Sequence, residues 1–90
     1  MVYLITYDIN TVIKDYNELY EAIKGISNDY QHPLESVWLV NTNLDRVQVY
    51  NLIRPHMDSR DYLLIVEIKG GYYGWLNKKV WEWLKSKLGY

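Results

Sequence analysis

The chain has 90 residues, of which 49% are hydrophobic, and this is enough apolar material for the core of one domain. Its 10 basic and 11 acidic residues leave a formal net charge of -1, which excludes the global positive field that drives nonspecific binding to nucleic acid. The absence of cysteine excludes disulfides, zinc-thiolate sites and a cysteine nucleophile, and it fits a reducing compartment.

The first segment, MVYLITYDIN, predicts a strand from Val2 to Ile9 that is apolar on both faces and therefore central in a sheet. The segment lacks the basic start of a signal peptide. No apolar run in the chain approaches the roughly 20 residues of a membrane span. We therefore expect a cytoplasmic protein that does not enter a membrane.

A capping box that begins at Asp15 precedes apolar residues at helical spacing, which predicts a helix from about Tyr16 to Ile26. Two strands are expected next. The first, near Tyr30 to Glu35, contains Pro33 and is therefore expected at a sheet edge or a bulge. The second, near Ser36 to Thr42, carries the second apolar run of the chain.

A second helix is predicted after Thr42 or Asn43, either of which could cap it, and Pro55 limits its C-terminal end. Its expected inner side comprises Leu44, Val47, Tyr50 and Leu52 or Ile53. The segment DYLLIVEIK, from Asp61 to Lys69, is the strongest strand signal in the chain.

The glycine-aromatic loop GGYYGW, residues 70–75, is followed by a predicted C-terminal helix over residues 76–89, with Gly89 as its C-terminal cap. The order β-α-β-β-α-β plus one helix predicts a single α+β domain over residues 1–90 with a ferredoxin-like core at about residues 2–69. Such a core has an antiparallel sheet with two helices on one face.

The second face of this sheet also requires a cover, because the first and last strands carry apolar residues on both faces. Either the C-terminal helix, with Trp81 and Trp83, folds back over it, or a second copy packs there in a homodimer. We expect a homodimer in which the helix covers part of the surface. Trp81 and Trp83 are then candidates for the dimer interface.

Three stretches carry a resemblance to a known family: YLITYDIN at the end of the first strand, ESVW at Glu35 to Trp38, and LIRPHMDSRDYLLIVEI. Together they resemble the small CRISPR-associated protein two family and its virulence-associated protein D relatives. The resemblance covers most of Val2 to Ile68. It implies a ferredoxin-like homodimer, and its enzymatic members imply a metal-dependent nuclease whose aspartate closes the first strand, which here is Asp8.

Asp8 is therefore the candidate catalytic residue and metal ligand, with Mg²⁺ or Mn²⁺ as the expected ion. Magnesium commonly binds one or two protein carboxylates together with waters and substrate phosphate, and a dimer could supply two copies of Asp8. The amide of Asn10 could orient a water or a phosphate oxygen. The alternative is that Asp8 and Asn10 only accept and donate hydrogen bonds in a turn.

Ser36 matches the family's serine, and we expect it to contact substrate or a bulge in the backbone. The isolated His32 and His56 share no metal-ligand spacing, so packing or surface roles are favoured for both. Glu67 is expected to form an ion pair with Lys69 or Arg60, because an unpaired buried carboxylate is costly.

The aromatic residues of the loop, Tyr72, Tyr73 and Trp75, are candidates for contact with substrate or partner, since tyrosine and tryptophan favour protein interfaces and also stack on unpaired bases. Three functions follow. The chain could be a metal-dependent endonuclease acting on RNA or DNA. It could be a non-catalytic dimeric adaptor for protein or nucleic acid. It could also be a component that docks a partner protein of a defence or toxin-antitoxin system.

Overall fold

A computed structural model describes residues 1–10 and 16–89. Its strands are β1 (Val2–Asp8), β2 (Tyr30–Leu34), β3 (Val37–Asn41) and β4 (Tyr62–Ile68). Its helices are α1 (Tyr16–Lys24), α2 (Arg46–Ile53) and α3 (Lys78–Leu88), and a 3-10 turn at Arg54–His56 follows α2. The predicted capping residue Asp15 lies outside the described residues.

The four strands form one antiparallel sheet in the order β2-β3-β1-β4, which makes the chain a small α+β protein with three helices. β1 is central, as its apolar character on both faces predicts, and it pairs from Val2↔Ile68 to Asp8↔Tyr62 with β4. β2 is an edge strand whose register shifts between Gln31 and Leu34. The proline at position 33 therefore lies where a missing backbone donor is tolerated.

One face of the sheet packs against α1 and α2, and we call it the α1–α2 face. Side chains of alternate β1 residues point to this face because successive strand residues face opposite sides. Its buried core comprises Tyr3, Ile5, Tyr7, Leu19, Ile23, Trp38, Val40, Val49, Ile53 and Met57.

The opposite face packs against α3, and we call it the α3 face. Val2 and Leu39 of the sheet are buried there against Val80 and Leu84 of the helix. Asn77 caps the start of α3 and Gly89, at φ 78, ends it in the left-handed conformation predicted from sequence. The helix therefore covers the second face in part, which was one of the two alternatives left open by the sequence.

The predictions for α2 were wrong in two respects. Asp45, rather than Thr42 or Asn43, is its N-cap, and Gln48 completes a capping box. Its buried residues are Val49 and Ile53, so the alternative Ile53 was correctly predicted, and Leu44 packs against the core as expected, whereas Val47, Tyr50 and Leu52 are exposed. A short helix in which five of the eight residues are apolar, on several sides of the helix, does not reveal its inner side from spacing alone.

Candidate functional site

Asp8 is the last residue of β1 and its side chain is exposed. It lines a pocket of ≈ 350 Å³ at the end of the sheet, together with Tyr7, Ile9, Tyr16, Tyr20, Glu35 and Ser36. It also borders a second depression of ≈ 230 Å³ between the ends of β1 and β4, where Tyr62 lies opposite it. Asp8 thus stands between two concave surfaces.

The larger pocket, called the Asp8 pocket below, brings together two residues predicted from the resemblance, Asp8 and Ser36. The turn between β2 and β3 supplies Ser36 and adds a second carboxylate, Glu35. Both carboxylate-bearing residues are exposed. The described lining therefore presents two carboxylates, the Ser36 hydroxyl and three tyrosines, with no lysine or arginine among them.

Tyr7 lines the Asp8 pocket and contacts a stack of rings that is not part of the pocket lining. Trp38 Nε1 donates a hydrogen bond of 3.1 Å to the hydroxyl of the buried Tyr7. His32 stacks on Trp38 with 3.8 Å between ring centroids, and its Nε2 lies 2.9 Å from the carbonyl oxygen of Glu35. His32 therefore packs and holds the turn, as the sequence favours, instead of facing the pocket as a base.

Burial raises the pKa of Tyr7 to about 12. Because the charged form is disfavoured in the protein interior, the Tyr7 hydroxyl stays protonated at any physiological pH. The Tyr7 hydroxyl donates to the Glu35 carbonyl oxygen at 3.4 Å, so its proton serves to hold the turn between β2 and β3.

Asn10 lies apart from the described lining of the Asp8 pocket. Its side-chain amide donates to the carbonyl oxygen of Arg60 at 2.9 Å, and its backbone N–H donates to Oδ1 of the buried Asp61 at the same distance. Asp61 Oδ2 also accepts from the Asp58 N–H. In this structure Asn10 joins the end of β1 to the loop that precedes β4.

Of the loop candidates, Tyr72 lies on the α3 face. Tyr72 stacks on Trp81 with ring centroids 6.0 Å apart, whereas Tyr73 and Trp75 are exposed. Trp83 donates from Nε1 to Asp29 Oδ1 at 2.7 Å. Trp81 and Trp83 therefore make contacts within their own chain, and none of these five aromatic residues lines the Asp8 pocket.

Glu67 points to the α1–α2 face, and Lys69 Nζ lies 3.9 Å from its carboxylate. One of the two ion-pair partners predicted for Glu67 is thus in place. The antiparallel pairing of β1 with β4 puts Glu67 opposite Tyr3, at the far end of the strand from Asp8.

Two carboxylates that organise the structure were missed from sequence. Asp29 accepts hydrogen bonds from Trp83 and Asn41 and pairs with Lys87, which ties α3 to the sheet. Asp61 holds the end of β1. The contacts that make them structural, from Trp83 to Asp29 and from Asn10 to Asp61, join residues that are distant along the chain, so local spacing does not predict them.

Among residues 1–10 and 16–89, no group of three histidine, aspartate or glutamate side chains could hold a metal ion. Asp8 and Glu35 fit magnesium or manganese in kind, because hard cations prefer carboxylate oxygens. Two carboxylates supply enough protein ligands only for an ion that keeps most of its waters or gains ligands from the substrate.

Comparison with protein-family models and with curated proteins gave no match for this chain. No helix within the described part of the chain has the length and apolar character needed to cross a bilayer.

Proposed function

We propose that the chain is a cytoplasmic, homodimeric, nucleic-acid-associated protein of the ferredoxin-like class and that it hydrolyses phosphodiesters with a divalent metal. The class is supported by the antiparallel strand order β2-β3-β1-β4 with α1 and α2 on the same face. The activity rests on one observation, which is that Asp8, Glu35 and Ser36 line the same pocket.

The charge of the Asp8 pocket favours a metal-dependent reaction. Two exposed carboxylates repel a phosphodiester unless a cation lies between them and the phosphate. Asp8 and Glu35 are the residues that would hold Mg²⁺ or Mn²⁺. When bound, such an ion supplies Lewis-acid polarisation of the phosphate and a lowered pKa of an attacking water.

The other residues of the Asp8 pocket have roles in binding. The Ser36 hydroxyl donates to a phosphate oxygen, and the protonated Tyr7 hydroxyl supports the wall behind it. Tyr16 and Tyr20, with 6.1 Å between ring centroids, offer ring faces on which an unpaired base can stack. A single-stranded substrate is therefore favoured, because a duplex keeps its bases stacked on one another.

The test is cleavage of labelled single-stranded RNA and double-stranded DNA in the presence of magnesium, manganese or EDTA. Asp8→Asn and Glu35→Gln should each lose cleavage by about 100-fold or more, which is the scale for loss of a group that stabilises transition-state charge. Glu82→Gln is the matched control, since Glu82 is an exposed glutamate on α3 outside the Asp8 pocket. Equal cleavage by all four proteins, or none by the wild type, would contradict the nuclease.

A second candidate is a non-catalytic homodimeric adaptor that binds nucleic acid or a partner protein of a defence or toxin-antitoxin system. It is favoured by the exposed aromatic side chains of Tyr73 and Trp75, which are of the kind that contact protein partners and unpaired bases. In that case the affinity for nucleic acid, measured by gel shift, should be the same in Asp8→Asn as in the wild type. Binding should not require a metal.

A further inference from the structure

A crevice of ≈ 120 Å³ lies between the sheet and α3, apart from the Asp8 pocket. The strands supply Leu4, Leu39 and Ile68 to its lining, and α3 supplies Trp81 and Leu84. We call it the α3 crevice. It is the recess that remains where the helix rests on the sheet.

The lining of the α3 crevice is apolar throughout. All ten residues of its described lining are aliphatic, proline or aromatic, and none of them is charged. The polar atoms of these side chains are the Tyr72 hydroxyl and the Trp81 indole nitrogen. Because a buried water needs two to four polar partners, this lining favours an apolar occupant over water.

Two stacked rings contribute to the lining of the α3 crevice. Tyr72 and Trp81 lie with 6.0 Å between ring centroids and 14° between ring planes, and both residues line the crevice. Aromatic rings attract a further ring in offset or edge-to-face geometry at about 4.5–7 Å between centroids, beyond the effect of the buried area. The lining therefore favours an aromatic ring over an aliphatic chain of the same size.

The volume of the α3 crevice limits the size of its occupant. An engineered apolar cavity of roughly 150 Å³ stays dry and binds benzene. The α3 crevice is slightly smaller, but Leu34 in its lining is 53% exposed, so the crevice opens to solvent and a single ring can enter. A charged ring is disfavoured because no charged group of the lining compensates for burial of its charge.

We propose that the α3 crevice binds a neutral, single-ring aromatic molecule. The site is separate from the Asp8 pocket and does not depend on the proposed function. Tyr72 and Leu76 belong to the segment that joins β4 to α3, and this segment leaves the strand through Gly71 at φ 70. A bound ring therefore contacts the sheet, the connecting segment and the helix together, and it stabilises their packing.

The test is titration of the protein with benzene, followed by NMR of the leucine methyl groups and the tryptophan indole N–H groups. Signals of Leu39, Leu84 and Trp81 should shift with a Kd on the order of 1 mM, as expected for six non-hydrogen atoms. The indole signal of Trp38 should stay in place, because Trp38 is buried on the α1–α2 face. Benzoate, which carries a charge on the same ring, should not bind.

Two variants change the volume of the α3 crevice. Val37 lines the crevice and is half-buried, so Val37→Phe should fill the crevice with a ring of the protein itself and weaken benzene binding by about 10-fold or more. The matched control is Val47→Phe, because Val47 on α2 is 67% exposed and lies outside the crevice. Leu76→Ala enlarges the crevice and should raise the affinity for indole, which has two fused rings, relative to benzene.

Thermal unfolding gives an independent measurement. A ligand that binds the folded chain alone raises Tm by mass action, so benzene at ten times its Kd should raise Tm by roughly 5 °C in the wild type and in Val47→Phe. The rise should be absent in Val37→Phe.

Wild-type signals that do not move near the solubility limit of benzene overturn the proposal, and so does equal benzene binding by Val37→Phe. Signals of the crevice that move on dilution of the protein, and not with benzene, identify a second copy of the chain as the occupant and also overturn it. Circular dichroism verifies folding of each variant. If Val37→Phe does not fold, Leu76→Ala decides the matter, since unchanged preference between indole and benzene places the binding elsewhere.

Discussion

The hydrogen bonds of Asp29 connect α3 to the sheet, so a single substitution at this position should weaken the attachment of the helix. Its carboxylate accepts from Trp83 Nε1 at 2.7 Å and from Asn41 Nδ2 at 3.0 Å, and it pairs with Lys87 Nζ at 2.7 Å. Hydrogen bonds to a charged group contribute about 1.5–3 kcal/mol each, but water replaces part of this at a half-buried site. We expect Asp29→Ala to lower the free energy of unfolding by about 2–3 kcal/mol in total.

The measurement is urea-induced unfolding followed by circular dichroism and tryptophan fluorescence. For a domain of this size the loss corresponds to a drop of about 10–20 °C in Tm. Glu82→Ala is the control, since Glu82 and Lys78 form an exposed pair 3.8 Å apart and should contribute no more than about 0.5 kcal/mol. A loss for Asp29→Ala as small as that of the control would refute the role of Asp29 as the tie between α3 and the sheet.

The same site predicts a dependence on pH. Burial alone would raise the pKa of Asp29, but the hydrogen bonds from Lys87, Asn41 and Trp83 outweigh burial and lower it. A carboxyl with a lowered pKa in the folded state contributes stability that is present above its unfolded pKa of about 3.9 and is lost as pH falls through the folded pKa. The difference in unfolding free energy between wild type and Asp29→Asn should therefore shrink in acid. A difference that stays constant into strong acid would contradict this.

Three further outcomes are expected. Leu84→Ala should cost about 2–5 kcal/mol in urea unfolding, because Leu84 is buried under the sheet and leaves a cavity. Asp61→Ala should cost about 1–3 kcal/mol by leaving the N–H groups of Asn10 and Asp58 without their acceptor, and Asp61→Asn should recover part of it. Relative to Tyr7→Phe, the wild type should lose stability in alkali between the usual tyrosine pKa of 10.0 and about 12, because burial raises the pKa of Tyr7. The last outcome would be contradicted if the unfolding free energies of wild type and Tyr7→Phe changed equally with pH through this range.

The first and last strands were predictable because runs of apolar and β-branched residues leave a strong signature in sequence. β1 and β4 are apolar at nearly every position, and both were predicted within one residue of each end. The inner side of α2 was not predictable in full. Whether Val47 or Val49 is buried depends on the residue at which the helix begins. The N-cap at Asp45 sets this starting point.

The candidate site was predictable only in part. The resemblance pointed to Asp8 and Ser36, and the fold brings both to one pocket. Glu35 adjoins Ser36, but a lone exposed glutamate in a turn carries no signal of its own. Asp29 and Trp83 are separated by 54 residues along the chain, so their contact follows from the path of α3 over the sheet and from no local pattern.

The central position of β1 has a consequence for how the chain folds. The first strand of the sequence pairs on one side with β3 and on the other with β4, so both of its neighbours come from much later segments. Forming those pairs requires closure of long loops before any contact repays the lost chain entropy. During synthesis β1 must wait for β3 and then β4, and its apolar side chains stay unpaired until both have left the ribosome.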